Sequence, residues 1–174
     1  MKNKIISKNG YSLAELLIAI LILLLVSGVV AAGVPTAIRV YERVTEAANA
    51  QAYLTTTTTS LRDILDLSEE TSVKSDNKTV VCIGNDKMEY TISLDKGGKQ
   101  GITYVITNPY NSKTSGDMNL VSEKTGTEKE FYAKYSSVSV SAGIIAFNDL
   151  EIYNKDDKIV AGPITYKIKL LNEN

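Results

Sequence analysis

One carboxylate stands where carboxylates are rarely found. Glu15 heads an apolar run, Leu16–Val34, broken only by Ser27, Gly28 and Gly33, and the next charge is Arg39. An ionisable group in or beside lipid is costly and calls for a partner that can be named. The nearest cations, Lys4 and Lys8, lie on the polar side of Gly10. Cutting the chain after Gly10 would create an α-amino group on Tyr11, four residues from Glu15. That amine could pair with Glu15 of its own chain or of a neighbouring helix. The chemistry these residues could offer, were the chain cut there, is ion pairing.

The remaining reactive groups do not assemble a catalytic set. Histidine is absent, which removes the commonest metal ligand and the commonest acid–base residue near neutral pH. Cys82, the single cysteine, lies between Val81 and Ile83 and reads as a buried small hydrophobe; no intramolecular disulfide can form. Gly97-Gly98-Lys99-Gln100-Gly101 lacks the spacing and the Lys-Ser/Thr pair of a phosphate loop, and strand–loop–strand replaces strand–loop–helix, so it reads as a turn. Asp156-Asp157, with Asn154 and Glu151, offers oxygens of the kind Ca²⁺ takes. It lacks a full calcium-loop pattern and reads as a solvated hairpin turn. Tyr104, Tyr110, Tyr132, Tyr135, Tyr153 and Tyr166 suit strands and subunit contacts. A base-stacking platform would want basic clusters beside them, whereas here lysines alternate with acids and the net charge is −1. The expectation is a protein without enzymatic activity, cofactor, metal or nucleic-acid partner.

The run that follows Glu15 spans about 19 residues, or roughly 28 Å as a helix, which matches the apolar core of a bilayer. Lys2, Lys4 and Lys8 precede it without an acid. The positive-inside rule keeps that end in the cytoplasm and sends the C-terminus outward. Beyond Pro35 a helical period continues through Ala37, Val40, Tyr41, Val44, Ala47, Ala48, Gln51, Thr55, Thr58, Leu61 and Leu65, with charges on the other face. Pro35 invites a kink, and Thr55–Thr59 is a weak helix former that tertiary packing must hold. Uninterrupted from Tyr11 to Leu67, such a helix would measure on the order of 85 Å. The alternative is a break at the threonines, with Leu61–Leu67 as a separate turn.

From Ser68 the period changes to alternation between turn residues. The expected strands are Thr79–Ile83, Met88–Leu94, Ile102–Ile106, Ser137–Ser141, Ile144–Phe147, Leu150–Asn154 and Ile164–Leu171, with a short one at Met118–Val121 in an otherwise irregular polar stretch from Asn108 to Glu130. Turns are expected at 84–87, 95–101 and 154–158. In the last strand Ile164, Tyr166, Ile168 and Leu170 should face inward. The fold class is α+β: a long N-terminal helix, membrane-spanning in its first half, packed on an antiparallel β-sheet head.

Gly10-Tyr11-Ser12-Leu13-Ala14-Glu15 resembles the class III signal of type IV prepilins and pseudopilins: a glycine, an apolar residue, Ser/Thr, leucine, any residue, then glutamate, leading into an apolar helix. The resemblance covers roughly the first third of the chain. It implies cleavage between Gly10 and Tyr11 by a prepilin peptidase and N-methylation of Tyr11. It also implies pairing of Glu15 with the Tyr11 amine of an adjacent subunit in a filament. The type IV pilin-like organisation would be a leader at 1–10, an apolar assembly half of the helix at 11–35, an amphipathic half at 36–67 and a head at 68–174. The implied partners are other pilin subunits, the peptidase, the pilus assembly machinery and the cytoplasmic membrane before assembly. The implied function is adhesion or surface motility, with the head outside and then on a cell-surface pilus. Many pilins staple a C-terminal loop with a disulfide, which a single cysteine rules out within this chain. A pseudopilin of a type II secretion system shares the same N-terminus. The further alternatives are a membrane-anchored binding module that does not polymerise and a secretory signal peptide cut near Ala31-Ala32-Gly33.

Overall fold

The computed structural model describes residues 12–66, 68–74, 76–94, 101–121 and 131–170. Gly10, Tyr11, Leu67, Leu171 and most of the expected glycine-rich turn lie outside them. Two compact units divide the chain, Met1–Thr45 and Glu46–Asn174.

Helix α1 runs Leu13–Asp66 without interruption, through Pro35 and through the threonine run. Proline cannot donate the i→i−4 bond; next to it, Thr36 Oγ1 donates to the Ala32 carbonyl at 3.0 Å. The threonine run stays helical because its buried face packs into the core, with Thr57 fully buried between Leu54 and Leu61; its hydroxyls are satisfied within the helix, which does not by itself favour helix. Thr55, Thr56, Thr57 and Thr59 donate to the carbonyl four residues back, and Thr58 to Thr55, at 2.9–3.0 Å. At the far end Ser68 is buried and its Oγ donates to the Leu65 carbonyl at 2.6 Å, supplying a partner for one of the acceptors that a helix terminus leaves open.

The buried face of α1 within the second unit is Ala50, Leu54, Thr57, Leu61 and Leu65. This corrects the sequence expectation by a notch: Gln51 and Thr55 are exposed and Thr58 is half-buried. Spacing alone cannot separate two adjacent stripes when alanines and threonines supply both. The large side chains Leu54, Leu61 and Leu65 decide which stripe the core takes, because apolar area drives the packing.

The expected single sheet is two. The first is six-stranded and antiparallel, with β1 (Ser68–Val73), β2 (Val80–Gly84), β3 (Glu89–Leu94), β4 (Ile102–Asn108), β5 (Lys113–Thr114) and β6 (Met118–Asn119). Its order is β1-β2-β3-β4-β5, with β6 also on β4. The second has β7 (Phe131–Lys134), β8 (Ser137–Ser141), β9 (Ile144–Asn154) and β10 (Ile159–Lys169). Its order is β10-β9-β7, with β8 also on β9. Val80, Cys82, Ile92 and Ile102 from the first sheet, Val138, Ile145, Phe147, Leu150 and Ile152 from the second, and the buried face of α1 form one hydrophobic core.

Strand β9 explains a misreading. Its buried apolar residues are Ile145 and Phe147, then Leu150 and Ile152, so the phase slips by one. The slip falls at Asn148 and Asp149, where Asp149 takes a left-handed backbone (φ 51°). Ser136 holds the irregularity, donating its N–H to the Asn148 carbonyl at 2.9 Å and its hydroxyl to Asp149 Oδ2 at 2.7 Å. In sequence the slip looked like a boundary between two strands; in the fold it is a bulge within one. Register shifts in the β9–β10 pairing, between Ala161 and Ile164 and between Ile164 and Tyr166, likewise undo the expected inward row. Ile168 and Leu170 are buried, but Tyr166 is half-buried and Ile164 is exposed.

Candidate functional site

The helix start is a capping box. The Ser12 N–H donates to Glu15 Oε2 at 2.8 Å, and the Glu15 N–H donates to Ser12 Oγ at 3.2 Å. Two orphan donors at a helix N-terminus are thereby satisfied reciprocally. The sequence reading found no partner for Glu15 among the cations of its own chain. The structure supplies a neutral one, a backbone N–H three residues back. The Ser-x-x-Glu spacing was the signal that could have revealed it. Gly10 and Tyr11, the expected processing residues, lie outside the described residues.

Downstream of that cap, α1 is long and apolar enough to cross a membrane, and no residue of its apolar window is buried. Leu16, Leu17, Ile18, Leu21, Leu24 and Leu25 are all more than half exposed. An open apolar concavity follows along Val29, Gly33, Thr36, Ala37, Val40 and Val44. A helix apolar all round needs burial from outside its own domain, by lipid or by other helices.

In the head, Glu151, Asn154 and Asp157, three of the four residues weighed as calcium ligands, have side-chain oxygens held by protein donors. Asn154 Oδ1 accepts the N–H groups of Asp156 (3.1 Å) and Lys158 (3.0 Å) within the β9–β10 turn. Its Nδ2 donates to Glu46 Oε1 at 2.7 Å, tying that turn to α1. Tyr132 Oη donates to Asp157, and Tyr153 Oη to Glu151 Oε2 at 2.6 Å. The two rings stack at 5.4 Å, with Lys134 Nζ 4.9 Å from each centroid. Among the described residues no group of three or more His, Cys, Asp or Glu side chains gathers around a potential metal position. Sequence reasoning missed the Glu46–Asn154 tie, which joins residues too distant in the chain for any local pattern.

Cys82 is fully buried opposite Tyr90 in the β2–β3 ladder. Burial, reinforced by the negative charge of Glu89, pushes its thiol up to about 12. Tyr90 is raised to about 12 chiefly by its hydrogen bond to Asp86, and Tyr132 to about 12 by burial and then by Asp157. These three acids bind their protons more tightly folded than unfolded. Their contribution to stability is whole below the ordinary values, 9.0 for the thiol and 10.0 for the phenols, and is lost as pH rises through the folded ones. The expected result is head unfolding between about pH 9 and 12. Alkylation of Cys82 should remain blocked up to that window and go to completion within it; ready labelling at pH 8 in the native protein would refute the burial.

Comparison of the chain with protein-family models, with curated proteins and with solved structures finds no match in any of the three.

Proposed function

We propose that this chain is a type IV pilin-like filament subunit. It is made as a prepilin, inserted with residues 1–10 in the cytoplasm, cut after Gly10 and polymerised through the first half of its helix. The observation that carries the reading is the wholly exposed apolar stretch of α1, begun by the Ser12–Glu15 box. Such a stretch gains by moving from lipid contact to contact with identical helices only if its one carboxylate stays satisfied throughout. The cap holds Glu15 before assembly, and the Tyr11 amine released by cleavage provides the ionic partner afterwards.

N-terminal sequencing or intact mass of the mature protein tests the reading. The chain should begin at Tyr11, carrying one added methyl group, and Gly10→Val should leave full-length precursor in the membrane. A mature chain starting elsewhere, or unchanged processing of the variant, would sink it. Electron microscopy of surface filaments containing this chain separates a pilin from a secretion pseudopilin and from an anchor that stays monomeric.

A further inference from the structure

The end of α1 carries two flanks of opposite character. Successive helical residues are turned by about 100°, and Arg62 and Asp63 line different grooves. On the Arg62 side, a groove of about 360 Å³ is lined by Arg62, Asp66, Tyr166, Lys167, Ile168 and Lys169. Arg62 Nε is bonded to Asp66 Oδ2 at 2.9 Å, which leaves Lys167 and Lys169, both exposed, to give this flank its positive surplus. On the Asp63 side, a second groove of about 330 Å³ lies between α1 and the β2–β3 hairpin, lined by Asp63, Ile64, Gly84, Asn85, Asp86 and Tyr90. Ile64 and Tyr90 are the large apolar and aromatic members of its lining, and its charged members are both carboxylates. Asp86 is fixed by bonds from the Met88 N–H (3.0 Å) and Tyr90 Oη (2.8 Å), so it presents its charge from a set position. Gly84 keeps the groove open: a Cβ there would come within 2.6 Å of Asp86 Oδ1 and 3.0 Å of the Tyr90 ring.

We infer that the acidic groove at Asp63, Asp86 and Tyr90 receives the Lys167–Lys169 edge of a second copy of this chain. The inference rests on the filament reading and names the head contact within it. Charge complementarity selects the occupant: an acidic, partly apolar slot on one flank faces a strand on the other flank whose outward residues are lysines with long apolar stems. Copies that share a membrane insert their helices in parallel. A contact between unlike flanks repeats from copy to copy in that arrangement and does not close on itself after one pairing, as a self-complementary patch would. The acidic flank includes no lysine; Lys87 follows Asp86 in the turn but does not line the groove.

Zero-length carbodiimide coupling tests this on the full chain. Filaments or membranes are prepared from cells expressing isotopically heavy and light chains mixed before assembly. Coupling should join Asp63 or Asp86 of one chain to Lys167 or Lys169 of another, seen as heavy–light peptide pairs. Asp63→Lys and Lys167→Glu, each alone, should lower the yield of those pairs at least about tenfold. The double variant Asp63→Lys/Lys167→Glu should restore coupling between the remaining Asp86 and Lys169. Both side chains are exposed, so both variants should keep Cys82 protected. If assembly proceeds and heavy–light pairs fall elsewhere, or on a different protein, this contact is overturned while the filament reading stands. If the unmodified chain forms no multimer at all, the filament reading fails and the contact with it.

Discussion

Glu15→Ala is expected to abolish filaments while leaving cleavage after Gly10 intact, and Glu15→Gln is expected to do the same. The pair of variants separates the capping role seen in the structure from the proposed ionic one. Glutamine at the third helical position can still reach back to the N-cap N–H, so the capping box survives in Glu15→Gln. What it loses is the charge. If Glu15 acted only as a helix cap, Glu15→Gln would polymerise normally and Glu15→Ala would fray at its first turn without changing the fate of the head. If it acts as the ionic partner of a released amine, both variants fail alike. Membranes should then accumulate processed monomer, because an amine buried among apolar helices without a counter-charge is costly. Immunoblots report processing and electron microscopy reports filaments. Abundant normal filaments from Glu15→Gln would remove the ionic role and leave the cap.

The second large effect lies in the head. Phe147 is fully buried in the first half of β9. Its ring meets Tyr135 edge-on at 5.2 Å with an interplanar angle of 78°, a favoured aromatic geometry. In the sheet it stands between Val138 of β8 and Tyr166 of β10, so both neighbouring strands lean on it. Phe147→Ala is expected to cost about 3–5 kcal/mol, the range for removing a buried aromatic ring and leaving a cavity. Against the roughly 5–15 kcal/mol that a domain of this kind has to lose, that is a large share. The urea midpoint of the full chain in detergent, followed by exposure of Cys82 to an alkylating reagent, should drop accordingly. A change below about 1 kcal/mol would mean that the two flanking strands do not depend on the ring. The insertion and cleavage proposed above should be unaffected in this variant, because neither would draw on the head's core.

The two variants also mark where local pattern was enough and where it was not. The apolar run, its carboxylate and the position of the amphipathic segment follow from residue order, because a helix is built from contacts four residues apart. The same holds for the β2–β3 and β9–β10 hairpins, whose turns at Gly84–Lys87 and Asn154–Lys158 close through local backbone bonds. The continuity of α1 through Thr55–Thr59 is not local in cause: Leu54, Thr57 and Leu61 are buried in the core, while hydroxyls satisfied inside the helix do not themselves favour it. It was ambiguous from propensity, which counts the cost of β-branching but not that packing.

Other features were decided only by the folded chain. Strand β1 has the sequence Ser-Glu-Glu-Thr-Ser-Val and no apolar alternation; it is a strand because β2 offers it a ladder. Strand β7, Phe131–Lys134, is four residues long and pairs with residues some twenty positions later in β9, a match that no window along the chain displays. The division of the head into two sheets depends on β9 carrying β8 on its first half and β7 on its second, with the Asp149 bulge between them. What residue order determined by itself was the apolar run, its single acid and the helical register near it, because short-range geometry fixes them. What tertiary structure decided was which helical stripe enters the core, how many sheets the head has and which flanks its side chains share, because those depend on pairings between segments far apart in the chain.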